Sequence, residues 1–120
     1  MPRLQEIIPE LPTANLEQAI RFYQDVLGFE VDYGSTDYSI LRKDDVRLVV
    51  LPKSPAFPGP TSCYIFIKDI DTYYNTLISR RARISLPLTV QPYGMKDFGI
   101  LDLDGNRLSF GEAVKTPNTK

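Results

Sequence analysis

Apolar positions recur along this chain in two rounds of the same order. In the first, an apolar segment from Leu4 leads into a helix that opens at Asn15 and ends at Gly28. In the second, an apolar segment from Thr61 leads into a helix that opens at Asp69 and ends near Arg81. The two helix starts lie 54 positions apart. Leu16, Ala19, Ile20, Tyr23 and Leu27 recur at helical spacing and predict one buried face. Asn15 with Gln18 three residues on reads as a capping box, and Gly28 as a C-terminal glycine that turns left-handed without a Cβ clash. Ile70, Tyr73, Tyr74, Leu77 and Ile78 give the second helix its apolar positions, with Asp69 as its cap.

Between and around the helices the pattern is that of strands. Ile7 and Ile8 predict a short strand that stops at Pro9; Phe29–Tyr33, Tyr38–Arg42 and Val46–Leu51 predict three more, the last two joined by an Asp44-Asp45 turn. In the second round Tyr64–Ile67 and Ile84–Leu88 read as extended, the latter bounded by Pro87. Phe98–Leu103 and Arg107–Gly111 form a hairpin around Asp104-Gly105-Asn106. Each half therefore reads βαβββ, an α+β fold with seven or eight strands and two helices. Residues 1–112 form one domain of two modules, about 4–52 and 61–112, joined by the proline-rich linker 52–60, which cannot continue a sheet interior. Residues 113–120 form a polar tail, expected to fray from Lys115 onward. A duplicated fold of this kind makes a cavity between its halves.

Composition narrows what such a cavity can do. The 120 residues include no histidine and no tryptophan, one cysteine and seven tyrosines. A chain of this length buries roughly two thirds of its unfolded surface. The net charge of −1 argues against nucleic acid, which demands a basic stripe. Arg80, Arg81 and Arg83 are read as cations at a helix C-terminus. No apolar run approaches the roughly 20 residues of a membrane-spanning helix, and the N-terminus lacks a signal-peptide core. Cys63 is read as a small buried hydrophobe, and a lone cysteine favours a reducing cytoplasm. No nucleophile elbow, phosphate loop or Cys-His pair is present. Asp97 beside Lys96, and Glu112, are the candidate acid–base groups; Asp102 and Asp104 are explained by the turn.

The run Asn15-Leu16-Glu17-Gln18-Ala19-Ile20-Arg21-Phe22-Tyr23 followed by Val26-Leu27-Gly28-Phe29, and later Gln91-Pro92-Tyr93-Gly94 with Asp102-Leu103-Asp104-Gly105-Asn106, resembles the vicinal-oxygen-chelate superfamily over about residues 4–112. That superfamily holds glyoxalases, extradiol dioxygenases, fosfomycin-resistance enzymes and bleomycin-resistance proteins. The resemblance implies two βαβββ modules forming a cupped mixed sheet, the glyoxalase/bleomycin-resistance fold. The enzymes of the superfamily hold a divalent metal on the concave face of the cup. Carried over by motif, those ligand positions are Ile8, Ser62 and Ser109, an aliphatic side chain and two neutral hydroxyls, which are poor ligands for zinc, iron or manganese.

Bleomycin-resistance proteins share the fold without the metal and are the closest in pattern. Their resemblance implies a homodimer that sequesters a flat, cationic drug at or near the subunit interface, with Pro9 at the position associated with exchange of an N-terminal arm. It implies no cofactor, no metal and no catalysis. Aromatic positions matching that family are Tyr33, Tyr38, Tyr64, Phe66 and Tyr93. Ser62 shares a strand face with Tyr64 and Phe66 because side chains alternate with period two. Val49, Leu51 and Ser109 complete the expected ligand-binding set. Asp32 and Asp37 are read as turn-solvating acids. The alternative function is a metal-independent lyase or isomerase that uses carboxylates in the same cup.

Overall fold

Asn15 caps the first helix as its sequence predicts. In the computed structural model, which describes residues 1–114, its side chain accepts the Gln18 backbone N–H at 3.0 Å. The reciprocal half of the box is absent: the Asn15 N–H donates to Thr13 Oγ1 instead. Helix α1 (Leu16–Phe22) does not run unbroken to Gly28. It widens into a π-helical turn (Tyr23–Leu27) that closes on Gly28 at φ +84°. The extra residue lets Tyr23, Leu27 and Phe29 all enter the core, with the Tyr23 and Phe29 rings edge to face at 6.0 Å.

The first module is a four-stranded sheet in the order β1 (Glu10–Thr13), β4 (Val46–Pro52), β3 (Ser39–Lys43), β2 (Glu30–Gly34). The second repeats it with β5 (Ser62–Phe66), β8 (Arg107–Ala113), β7 (Met95–Leu101) and β6 (Arg83–Val90), and carries α2 (Ile70–Ser79). In each, the outer pair preceding the helix is parallel (β1 with β4, β5 with β8) and the other pairs are antiparallel. This is the expected βαβββ duplication, realised as two sheets. The first strand differs from expectation. Ile7 and Ile8 lie outside it, and β1 begins after Pro9, because the ladder with β4 pairs Glu10 with Val49 and Pro12 with Leu51. Residues 1–9 form an irregular arm on which Met1, Leu4 and Ile7 are almost fully exposed. β6 runs through Pro87, which an edge strand with two register shifts tolerates. The fraying expected for residues 115–120 lies outside the described residues.

Period-two alternation sets the core. Leu48 and Val50, Phe98 and Ile100, Leu108 and Phe110 point to the helix side and join Leu11, Tyr23, Leu27, Ile70 and Leu77 in one buried cluster that draws on both modules. Phe98 and Phe110 stack at 5.2 Å, and Tyr74 packs edge-on to Phe98 at 4.9 Å. The Asp-Gly-Asn hairpin does more than turn the chain. Buried Asn106 donates to the Pro12 carbonyl (2.9 Å) and accepts the Thr61 N–H (2.9 Å). Buried Asp102 accepts the Tyr23 hydroxyl at 2.7 Å. The hairpin thus fastens one module to the other through otherwise unpaired backbone groups.

Candidate ligand-binding site

The alternation that buries Phe98 and Phe110 sends Asp97, Gly99, Ser109 and Gly111 to the opposite face of the second sheet. Asp97 is only 2% exposed. It is covered not by depth but by two phenol rings. Its carboxylate accepts the Tyr93 hydroxyl at 2.6 Å, the Tyr64 hydroxyl at 3.1 Å and the Gln91 side-chain amide at 3.0 Å. Burial alone would raise its pKa; the hydrogen bonds from Tyr93, Gln91 and Tyr64 outweigh that and hold the carboxyl below its ordinary value. Burial, then the hydrogen bond to Asp97, pushes the Tyr64 hydroxyl up to about 12. Tyr93 moves in the same direction, first through its hydrogen bond to that carboxylate. Tyr64 and Phe66 meet edge to face at 5.5 Å and are 42% and 77% exposed. Ser62 precedes them on the same exposed face, and Ser109 pairs with Tyr64 across β5 and β8.

The remaining expected residues stand apart from this group. Tyr33 and Tyr38 pair with each other at 5.6 Å at the β2–β3 hairpin, both exposed. Val49 and Leu51 lie half-buried on β4, opposite Glu10 and Pro12 of β1. The corresponding face of the first sheet carries an ion-pair network: Arg47 bridges Glu6 of the arm (2.9 Å) and Asp32 (3.3 Å), and Arg42 also meets Asp32 at 3.4 Å. Asp32 is therefore a strand residue in an ion pair rather than a turn-solvating acid. Hydrogen bonds from Arg42 and Arg47 lower its pKa, and the Arg47 guanidinium does the same for Glu6. The one signal for this network was the position of Arg42 and Arg47 on β3 and β4, opposite each other in register.

Two clefts open along the seam between the modules. One, of about 550 Å³, lies between the β3–β4 turn and the β5–α2 junction and is walled by Phe29, Val46, Ile65, Phe66 and Tyr73, with Asp44, Asp45 and Asp69 at its rim. The other, of about 360 Å³, holds Tyr64, Phe66 and Arg47 beside Glu6 and Ile7 of the arm. Of the nine expected residues, these clefts include only Tyr64 and Phe66. The β-face reading missed Gln91 and Asp97 as partners of the tyrosines. The signal for Asp97 was its position next to Phe98, one step out of phase with a buried residue, in a strand whose next out-of-phase position is glycine. Glu112, the other acid–base candidate, is used structurally: its carboxylate accepts the Asp69 and Ile70 backbone N–H groups and so caps α2. Cys63 is half-buried, with burial raising its thiol to about 11. Among the described residues, no three His, Cys, Asp or Glu side chains gather to hold a metal ion.

Residues 4–110 match the Glyoxalase/Bleomycin resistance protein/Dioxygenase superfamily. A bleomycin resistance protein of Geobacillus stearothermophilus is 26% identical over 91% of this chain and 97% of its own length. A bleomycin-binding protein of Streptomyces verticillus, solved with copper(II)-bleomycin, superposes with a TM-score of 0.74 over 97% of this chain and all of that one, at 22% identity. A lactoylglutathione lyase of Agrobacterium tumefaciens gives the same TM-score of 0.74 at 19% identity, over 92% of this chain and 95% of its own. A binder and an enzyme thus share this fold equally well, and the site must decide between them.

Proposed function

Because the chain belongs to the Glyoxalase/Bleomycin resistance protein/Dioxygenase superfamily, we propose that it binds and sequesters an aromatic, cationic small molecule of the bleomycin-type antibiotic class, without metal and without catalysis. One observation carries this reading: the exposed rings of Tyr64 and Tyr93, with Phe66 edge to face against Tyr64, cover a shielded carboxylate that pairs with no basic side chain among the described residues. Rings of this kind give a flat ligand stacking faces worth roughly 0.5–1.5 kcal/mol each beyond area burial, and attract its positive charge to their π-faces. The relatives named bleomycin resistance proteins support the same class of ligand.

The donor chemistry supports a metal-free site. Ile8 offers no ligand atom, Ser62 and Ser109 are neutral hydroxyls, and the sequence holds no histidine. A metal-independent lyase or isomerase would need an acid–base group poised near neutrality. Asp97 is held on the other side of its ordinary value and already accepts three hydrogen bonds, and Glu112 caps a helix. The reading includes a homodimer in the cytoplasm. Its support is the arm, whose Met1, Leu4 and Ile7 are left in solvent by one copy alone, and the exposed Tyr33 and Tyr38, apolar surface that a second copy would cover. The lone Cys63 suits a reducing compartment.

Thermal unfolding against bleomycin, a panel of other cationic aromatic antibiotics and divalent metals tests the reading. A ligand at a hundred times its Kd should stabilise the fold by roughly 2.7 kcal/mol. A raised midpoint with drugs and none with zinc, iron or manganese is the expected result. Stabilisation by metals alone would overturn it.

A further inference from the structure

Asp97 is a buried anion whose partners are all neutral. Tyr64, Tyr93 and Gln91 supply its three hydrogen bonds, and among the described residues no lysine or arginine pairs with it. Its chain neighbour Lys96 is engaged with Asp71 of α2 at 2.6 Å, on the helix side of the sheet. An ionised carboxylate accepts about four hydrogen bonds, so one acceptor position on Asp97 is left over. Its charge is held by hydrogen bonds alone, with no counter-charge among the described residues, so a cation that reached it would meet an unneutralised carboxylate.

The space over that carboxylate is built by glycine. Gly111 stands directly across the β7–β8 ladder from Asp97, and a Cβ there would collide with the Tyr64 hydroxyl and ring. Gly99, two residues on from Asp97, is likewise hemmed in: its Cβ would sit 2.8 Å from Ser85 Oγ. Any side chain at 111 would take the place that the Tyr64 phenol now fills. With glycine there, the phenol of Tyr64 lies down on the sheet and plugs the opening. Tyr64 is 42% and Tyr93 65% exposed, and neither belongs to the buried core cluster.

We propose that the place filled by the Tyr64 hydroxyl is a recess for a protonated amine or amidine arm of the ligand, with Asp97 as its anion and Gly111 as its floor. This deepens the reading of the face as a small-molecule site and rests on it. An ammonium group has three donors, enough to replace the Tyr64 hydrogen bond and take the unused acceptor position. It also supplies the missing charge, while the displaced Tyr64 ring, with Tyr93 and Phe66, lines the entrance with π-faces. A quaternary ammonium has the charge but no donor and more bulk, and is disfavoured.

The test uses the full chain and three probes that share one ring: 1-naphthylmethylammonium, its N-acetyl amide and its N-trimethyl analogue, each titrated calorimetrically, with bleomycin alongside. The wild-type protein is expected to bind the primary ammonium about tenfold tighter than either analogue, as a charge-assisted hydrogen bond allows. Asp97→Asn should bring the three probes to within about twofold of one another. Tyr64→Phe, which removes the competing hydroxyl and does not depend on Asp97→Asn folding, should tighten the ammonium several-fold. Equal affinities in the wild type, discrimination that survives Asp97→Asn, or no gain in Tyr64→Phe each overturns the recess. If bleomycin still binds in that case, sequestration stands and only the recess falls. If bleomycin and all three probes fail to bind, both fall together.

Discussion

At the scale of single residues, the second sheet ties its chemistry to Asp97. The carboxyl lies below its ordinary value in the folded chain, so the stability it contributes is present in full above that value, about 3.9. It is lost as pH falls through the lower folded value. The stability difference between wild type and Asp97→Asn is therefore expected to hold steady from about pH 7 to 5 and to shrink below about pH 4; urea melts across that range measure it. A difference that grows on acidification contradicts the assignment. Gly111→Ala makes a second demand. The new methyl must evict the Tyr64 phenol, breaking a hydrogen bond to a charged group worth roughly 1.5–3 kcal/mol. The Tyr64 hydroxyl, pushed up to about 12, should then titrate closer to its ordinary value of about 10, which ring-carbon NMR of the tyrosines follows directly. Asp97 was visible in the sequence as a carboxylate beside Lys96. That its partners are Tyr64, 33 positions earlier, and Tyr93 was not, because hydrogen bonds between strands depend on register.

Among the elements, the helices were the most legible because their signals are local. Apolar spacing, Asn15 and Gly28 mark α1 and its end within a few residues. Where expectation and structure part, a distant residue intervenes. Asp69 was expected to cap α2, yet it sits at φ +60° with its side-chain oxygen on the Thr72 hydroxyl, and the cap comes from Glu112 on β8. Glu112→Ala is accordingly expected to cost about 1 kcal/mol, with faster hydrogen exchange at the Asp69 and Ile70 amides, while α1 exchanges as before. Unchanged exchange at those two amides would show that the cap carries no weight. The first strand shows the same limit. Ile7 and Ile8 have strand-like side chains, but the ladder forms beyond Pro9, where β4 offers free partners.

For the whole molecule, one hydrophobic cluster drawn from both modules, together with Asn106 and the Tyr23–Asp102 pair at the seam, predicts a single cooperative transition. Asn106→Ala leaves the Pro12 carbonyl and the Thr61 N–H without their partner in a buried place, which should cost about 2–4 kcal/mol. Unfolding followed by tyrosine fluorescence and by far-ultraviolet circular dichroism should still coincide. Separate midpoints would mean that the modules unfold independently.

Periodicity and turn chemistry are encoded within a few neighbouring residues. The repeated βαβββ order, both helices, the Asp-Gly-Asn hairpin and the lack of histidine ligands were therefore determined by the sequence alone. Side-chain partners are chosen by strand register and by the packing of one module on the other. Only the tertiary structure could decide that Tyr64 and Tyr93 converge on one carboxylate, that Tyr33 and Tyr38 stand apart from them, and that a glycine opposite Asp97 leaves room for a phenol. The physical reason is range. A cap or a turn is satisfied within about four residues, whereas a buried charge is satisfied by whatever the fold brings to it.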